Sequence, residues 1–250
     1  MPGILLVTGA SRGIGAATAR LAARRGWDVA INYATNRVAA QSVADDVRAA
    51  GRRALIVQAD VGDPAAVAAL FAQVDGELGR LDAFVNNAGI LWPHARFVDI
   101  SRDQLARSIA VNLTGVFTAN QEAARRMSTR LGGAGGAIVN MSSMAAKLGG
   151  AFECLDYGVT KGAVDTMTVG LAKELAGEGI RVNGLRPGLI ETEIHAGAGE
   201  PGRVARLMSS VPLGRGGTAE EVAEAALWLL SDAARYITGV TIDIAGGRGI

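Results

Sequence analysis

Residues 4–15 read Ile4-Leu5-Leu6-Val7-Thr8-Gly9-Ala10-Ser11-Arg12-Gly13-Ile14-Gly15. An apolar run passes directly into a glycine-rich turn, and the turn opens a helix over 14–25. Without side chains at Gly9, Gly13 and Gly15, the backbone can turn sharply and come close to a ligand. The helix that starts there aims unpaired N–H groups and the positive end of its dipole at that ligand, which suits a phosphate. The chain therefore opens on a nucleotide site.

Working outward, short apolar runs alternate with helical stretches to the end of the chain. Strands are predicted over 4–8, 28–32, 54–58, 83–86, 137–141, 181–186 and 240–243. Helices are predicted over 14–25, 37–50, 64–78, 102–130, 157–177 and 219–230. The strand runs are apolar without strict alternation, as strands buried on both faces should be. Strands separated by helices of this length form right-handed crossovers and a parallel sheet. The expected fold is α/β: one doubly wound domain over 1–250, a seven-stranded parallel sheet with helices on both faces. No linker or repeat interrupts it, and Gly132-Gly133-Ala134-Gly135-Gly136 reads as a tight loop.

Composition narrows the function. The chain has 250 residues, 49% of them hydrophobic, and a formal net charge of +1. That excludes a disordered chain and any global field for nucleic acid or an anionic membrane. Cys154 is the single cysteine and has no disulfide partner, which fits a reducing compartment. No apolar run spans a bilayer and the N-terminus enters a strand at once, so a cytoplasmic location is expected. Of 25 basic residues only Lys147, Lys161 and Lys173 are lysines, and the tyrosines are Tyr33, Tyr157 and Tyr236.

Ligands of doubly wound sheets bind beyond the carboxyl ends of the strands. Gly9, Asp60, Asn86 to Gly89, Ser142, Ser143 and Pro187 all follow predicted strands, so they should share that edge. Tyr157 and Lys161 lie four apart at the start of a helix, one turn apart on one face. An ammonium beside a phenol favours the phenolate and suits proton exchange near neutrality. Alone, that spacing is weak evidence, since it also describes an ordinary helix face. The segment 191–217, rich in Gly and Ala after the sixth strand, is placed as a lid over the site.

The ordered set of glycine turn, Asn86-Asn87-Ala88-Gly89, Asn112, Ser142-Ser143, Tyr157 and Lys161, and Arg186-Pro187-Gly188-Leu189-Ile190-Glu191-Thr192 resembles the classical short-chain dehydrogenases/reductases across essentially the whole chain. The resemblance implies a Rossmann-type fold and an enzyme that interconverts a carbonyl and a secondary alcohol. It assigns Tyr157 as general acid and base, Lys161 as the group that lowers its pKa and binds the nicotinamide ribose, Ser143 as the holder of the substrate oxygen, and Asn112 as the holder of a relay water. The cofactor would lie on Gly9, Ser11, Arg12, Gly13, Ile14 and Gly15, on Asn32, Tyr33 and Arg37, on Asp60 and Val61, on Asn87, Ala88 and Gly89, and on Pro187, Gly188, Ile190 and Thr192, besides Tyr157 and Lys161. A homotetramer is implied, packed through 112–130, 157–177 and 240–247.

Two departures from the family pattern matter. Ser143 precedes Tyr157 by 14 positions, one more than is usual, so the loop 144–156 is longer. It carries Glu153, Cys154 and Asp156, which either shape the substrate pocket or sit on a solvated loop. The second strand also ends at Asn32-Tyr33 without the acidic residue that would hold a ribose diol and repel a 2′-phosphate. With Arg12 and Arg37 near, NADP(H) is the expected cofactor, NAD(H) the alternative. Two other readings stay open: a 3-oxoacyl-thioester reductase acting on an acyl carrier, and a dinucleotide-binding protein without turnover. His94 and His195 lack ligand-like neighbours and are placed at a pocket rim or the surface, with no metal expected. Trp228, with Leu227, Leu229 and Leu230, is placed on a core helix face or in a subunit contact.

Overall fold

A computed structural model describes residues 3–249. Seven strands form one parallel sheet: β1 Ile4–Val7, β2 Asp28–Tyr33, β3 Ala54–Gln58, β4 Leu81–Asn86, β5 Gly136–Met141, β6 Ile180–Pro187 and β7 Thr241–Ile244. Their order across the sheet is β3-β2-β1-β4-β5-β6-β7. Winding proceeds outward in both directions from β1 and β4, which pair at Val7 and Val85. That reversal leaves a crevice at the carboxyl edge, where the glycine turn follows β1.

The helices are α1 Gly13–Arg24, α2 Arg37–Ala49, α3 Pro64–Glu77, α4 Arg102–Ile109, α5 Val116–Met127, α6 Ala145–Leu148, α7 Leu155–Leu175, α8 Ile194–Gly197, α9 Arg203–Leu207 and α10 Ala219–Leu230. Two apolar clusters sandwich the sheet. One joins α1, α2 and α10 to its first face; the other joins α3, α5 and part of α7 to the second. β1 supplies both, with Leu5 and Val7 on one side and Leu6 on the other, so its lack of alternation reflects burial on both faces.

Local signals explain the helix starts. Asp63 caps α3 by accepting from Ala65 N at 2.9 Å, with Pro64 in the first turn. Thr218 and Glu221 form a reciprocal capping box at α10. Two expectations need correction. The helix expected over 102–130 is interrupted by a π-helical segment, Ala110–Gly115, between α4 and α5. Gly115 is needed there, since a Cβ would stand 2.3 Å from the Val61 carbonyl oxygen. Trp228 is not a core residue: Leu227, Leu229 and Leu230 are buried while Trp228 keeps 40% of its surface. The segment 191–217 holds α8 and α9, and its two ends are pinned together. Glu191 N donates to Gly217 O and Gly217 N to Leu189 O, both at 2.9 Å.

Candidate active site

The glycine turn is fixed mainly by main-chain contacts. Gly9 has φ +61°, and a Cβ there would stand 2.9 Å from Ala88 Cα. At Gly15 a Cβ would stand 2.4 Å from the Gly9 carbonyl oxygen. Thr8, fully buried, accepts from Asn87 N and Ala88 N at 3.0 and 3.1 Å. The Asn87 side chain donates to Thr8 O and Gly9 O at 2.9 and 3.2 Å. Asn32 accepts from Gly9 N at 3.2 Å and donates to Ala59 O at 3.0 Å. The Asn32 amide ties the turn to the end of β3, and the Asn87 Nδ2 ties it to the end of β4. The Tyr33 side chain is likewise buried, at 2% exposure.

The residues that remain fit a dinucleotide. The first intrahelical bond of α1 runs from Ala16 N to Arg12 O, so the amides of Gly13, Ile14 and Gly15 precede the helical ladder. No acidic residue lies in this first turn. Those donors, with the helix dipole behind them, are the set a diphosphate takes. Thr192 borders the turn, 3.4 Å from where a Gly13 Cβ would stand. Farther along the edge, Asp60 accepts from Gly62 N at 2.9 Å and from Arg107 at 2.7 Å. Burial would raise the Asp60 carboxyl, but these donors hold it below its ordinary value. Val61 and Ile190 are buried, whereas Gly89 is exposed at the rim. Arg12 and Arg37 are exposed, and among the described residues neither forms an ion pair.

The structure brings Ser143, Tyr157 and Lys161 together and sets Asn112 beside them. Ser143 stands in the turn after β5, where its Oγ accepts from Ala145 N at 3.1 Å. Ser142 points elsewhere, donating to Lys161 O at 3.1 Å. Tyr157 sits in the first turn of α7, and the Lys161 Nζ lies 5.5 Å from its ring centroid. Lys161 is 2% exposed and donates to Met141 O at 2.6 Å. Burial lowers its ammonium to about 8, against the raising pull of Asp165. Burial pushes the Tyr157 phenol up to about 12, and the facing Ser143 hydroxyl only partly offsets this. In the protein alone the phenol is set by desolvation, and Lys161 is not among the groups that shift it.

Asn112 lies in the π-helical segment and grips one residue. Its Oδ1 accepts from Ile90 N at 2.8 Å and its Nδ2 donates to Ile90 O at 2.9 Å. Its amide thus holds the strand-end loop, with Gly89 next to Lys161; a Cβ on Gly89 would lie 3.6 Å from Nζ. The register change of the π turn is what aims Asn112 inward.

Tyr157 and Ser143 open onto a cavity of about 230 Å³, walled also by Leu91, Met144, Leu148, Glu153, Arg203 and Arg248. The loop 144–156 is therefore a pocket wall rather than a solvated excursion. Glu153 accepts from Arg203 at 2.5 Å and from Arg206 at 2.7 Å. Burial alone would raise Glu153, yet the hydrogen bonds from Arg206 and Arg203 bring it down to about 2. Asp156 is buried and accepts from Ser108 at 2.7 Å. His195, expected at a rim or surface, is 5% exposed, with Nε2 3.0 Å from Ile190 O. The sequence reading missed Thr8, the Met141 carbonyl, Arg203 and Arg248. Thr8 offered a signal, a hydroxyl at the last strand position before the turn; the two arginines offered none.

These features define a nucleotide-dependent oxidoreductase of the doubly wound class, and the comparisons agree. A family model described as enoyl-(acyl carrier protein) reductase matches residues 9–248. An uncharacterized oxidoreductase of Escherichia coli K12, YgfF, is 51% identical over 98% of this chain and 99% of its own. An L-rhamnose 1-dehydrogenase (NAD(P)(+)) of a Sphingomonas strain is 40% identical over 97% of this chain and 94% of its own. A short-chain dehydrogenase from Burkholderia cenocepacia, solved in complex with NADP, superposes with a TM-score of 0.91 at 34% identity, over 99% of this chain and 98% of that one. The chain belongs to the short-chain dehydrogenase/reductase family, and it is an NAD(P)-dependent oxidoreductase of that family.

Proposed function

We propose that the protein interconverts a carbonyl and a secondary alcohol with NADP(H), using Tyr157 as the general acid and base. The observation that carries this reading is the pairing of Tyr157 and Ser143 at one cavity mouth, with the buried Lys161 Nζ 5.5 Å from the Tyr157 ring and a free helix N-terminus nearby. When bound, the nicotinamide supplies the hydride in reduction and takes it in oxidation. Ser143 holds the substrate oxygen. Tyr157, protonated at neutral pH, gives its phenolic proton to that oxygen as the carbonyl is reduced, and recovers one from the alcohol in the reverse direction. Lys161, fixed by the Met141 carbonyl, sets a positive charge against the ring and stabilises phenolate as it forms. Asn112 is a positioning residue that fixes Ile90 and the Gly89 main chain.

The preference for NADP(H) over NAD(H) rests on Arg12 and Arg37, both exposed and outside any ion pair among the described residues, and on the absence of a carboxylate at the end of β2. Gly9, Ser11, Gly13, Ile14 and Gly15 would carry the diphosphate side, Asp60 and Val61 the adenine side, and Pro187, Gly188, Ile190 and Thr192 the nicotinamide side. The same reading makes the chain one dinucleotide-binding domain with a lid at 191–217, working in the cytoplasm as a homotetramer. Phe117 on α5 and Val159 and Val169 on α7 are exposed apolar residues suited to such packing.

The test is turnover of ketones, sugars and acyl thioesters by purified protein with NADPH or NADH. Tyr157→Phe should lower turnover by about a thousandfold while NADPH still binds. Unchanged turnover in that variant overturns the mechanism. A catalytic efficiency about tenfold higher with NADH overturns the cofactor preference, since one ribose phosphate contact is worth at least that much.

A further inference from the structure

The cavity beside Tyr157 contains an imbalance of charge that the chemistry above does not use. Arg203 and Arg206 share Glu153, and Arg206 also pairs with Glu200 at 2.5 Å. His94 Nδ1 reaches the same Glu200 at 3.2 Å. These alternating charges close on themselves. Arg248 is left over: it is half-buried, donates from Nε to Ser210 Oγ at 3.0 Å, and has no carboxylate in ion-pair range among the described residues.

A second deficit lies in the wall of the same space. The Nε of Arg203 is buried and has no hydrogen-bond partner, although Arg203 lines the cavity. A buried guanidinium donor without an acceptor is costly, and so is a half-buried cation without a counter-ion. Both deficits are met by one anionic group with two acceptor oxygens.

The placement of Arg248 is not casual. Leu213 N donates to Gly246 O at 3.1 Å, which ties the C-terminal tail to the end of the lid. A Cβ on Gly249 would meet Met144 at 2.5 Å, so the tail also runs tightly over α6. Arg248 is thus held between the lid and the cavity wall, facing the catalytic end rather than solvent alone. The lining also includes the apolar side chains of Leu91, Met144 and Leu148. At about 230 Å³ the space is below the ~300–1,000 Å³ typical of drug-sized ligands.

We infer that the substrate carries a carboxylate, seated between Arg248 and the Nε of Arg203, with a short apolar skeleton that presents its carbonyl or alcohol carbon to Tyr157. This class, small oxo acids and their hydroxy acids, rests on the carbonyl–alcohol reading of the site. The anion-binding part does not need turnover to be measured.

The experiment is calorimetric titration of the protein saturated with NADP⁺, using two matched pairs: cyclohexanecarboxylate against cyclohexanecarboxamide, and benzoate against benzamide. In the wild type at least one acid should bind about tenfold tighter than its amide, as a charge-assisted bidentate contact demands. In Arg248→Gln that ratio should fall to about two or less, since only the orphaned donor of Arg203 remains. Arg248→Lys should restore it in part, which a merely structural role of the tail would not do. If neither acid outbinds its amide, or if the preference survives in Arg248→Gln, the inference is overturned. Turnover with a Tyr157-dependent rate but no acid preference would leave the oxidoreductase reading standing and remove only the carboxylate.

Discussion

The two ends of the crevice are built from different materials. On the side of α1, the ligand-facing surface is main chain: the amides of Gly13, Ile14 and Gly15, with a turn locked by Thr8, Asn32 and Asn87. On the side of α6, α8 and α9, it is long charged side chains that meet from distant parts of the chain, Glu153, Glu200, Arg203, Arg206 and Arg248. A main-chain surface reads the part of a ligand that does not change, a diphosphate. A side-chain surface can be rewritten at no cost to the fold, and that suits the part that does change, the substrate.

The harshest way to break the first half is to fill its glycines. In Gly15→Val the new Cβ would stand 2.4 Å from Gly9 O and 2.9 Å from Ala10 Cα, both backbone atoms that cannot step aside. NADPH binding should weaken by at least about a hundredfold, and stability should fall by about 1–3 kcal/mol from overpacking. Fluorescence titration and a thermal melt measure the two separately. Normal NADPH affinity in a folded variant would show that the turn is not the diphosphate site.

The next effect belongs to the junction of the halves, Tyr157. With its phenol held up at about 12, the protonated donor is complete throughout the neutral range. Carbonyl reduction should therefore stay nearly flat from about pH 6 to 7 and fall above about pH 8, where the Lys161 ammonium that stabilises the phenolate is lost. Alcohol oxidation, which needs the phenolate, should gain about tenfold per pH unit up to that point. Initial rates in both directions across that range check the sign. A plateau in oxidation near pH 7 would mean that the phenol is lowered during turnover rather than raised.

The same contrast explains what could be read from the sequence. Strand positions, winding and the glycine turn are legible because they depend on apolar runs and glycines that act locally. Asn32 is legible as a strand-end residue, while the bonds of its amide to Gly9 N and Ala59 O are long-range and no spacing encodes them. The π turn at Ala110–Gly115 hides inside a continuous helical pattern and shows itself only through Asn112 and Ile90. Arg203 and Arg248 are invisible for a different reason: among 22 arginines, only tertiary folding brings these two to one cavity.

A smaller effect separates the two cofactors. Arg12→Ala with Arg37→Ala should lower the efficiency with NADPH by about tenfold and leave NADH nearly unchanged, since only a 2′-phosphate needs the two guanidiniums. Equal losses with both cofactors would place these arginines on the shared diphosphate instead.

The mildest prediction sharpens the second half. Glu153 joins the loop before α7 to α9 through Arg203 and Arg206, while Ala95 N donates to Glu153 O at 3.1 Å, so three segments meet at one residue. Its carboxyl, about 2 in the folded chain, has an ordinary value of 4.5. Between those values the unfolded or opened lid binds more protons than the closed one, so the clamp is complete above pH 4.5 and is lost as pH falls toward 2. Because both partners retain solvent contact, the effect is local rather than global. Hydrogen exchange in 191–217 should quicken severalfold as the pH is lowered from about 5 to 3, relative to the intrinsic rate, with little change in α1. Glu153→Gln should show the faster exchange already at neutral pH and lose the pH dependence. A lid that exchanges at one protection factor throughout, in both proteins, would mean that it is held by its pinned ends at Leu189, Glu191 and Gly217 and not by the charges above the pocket.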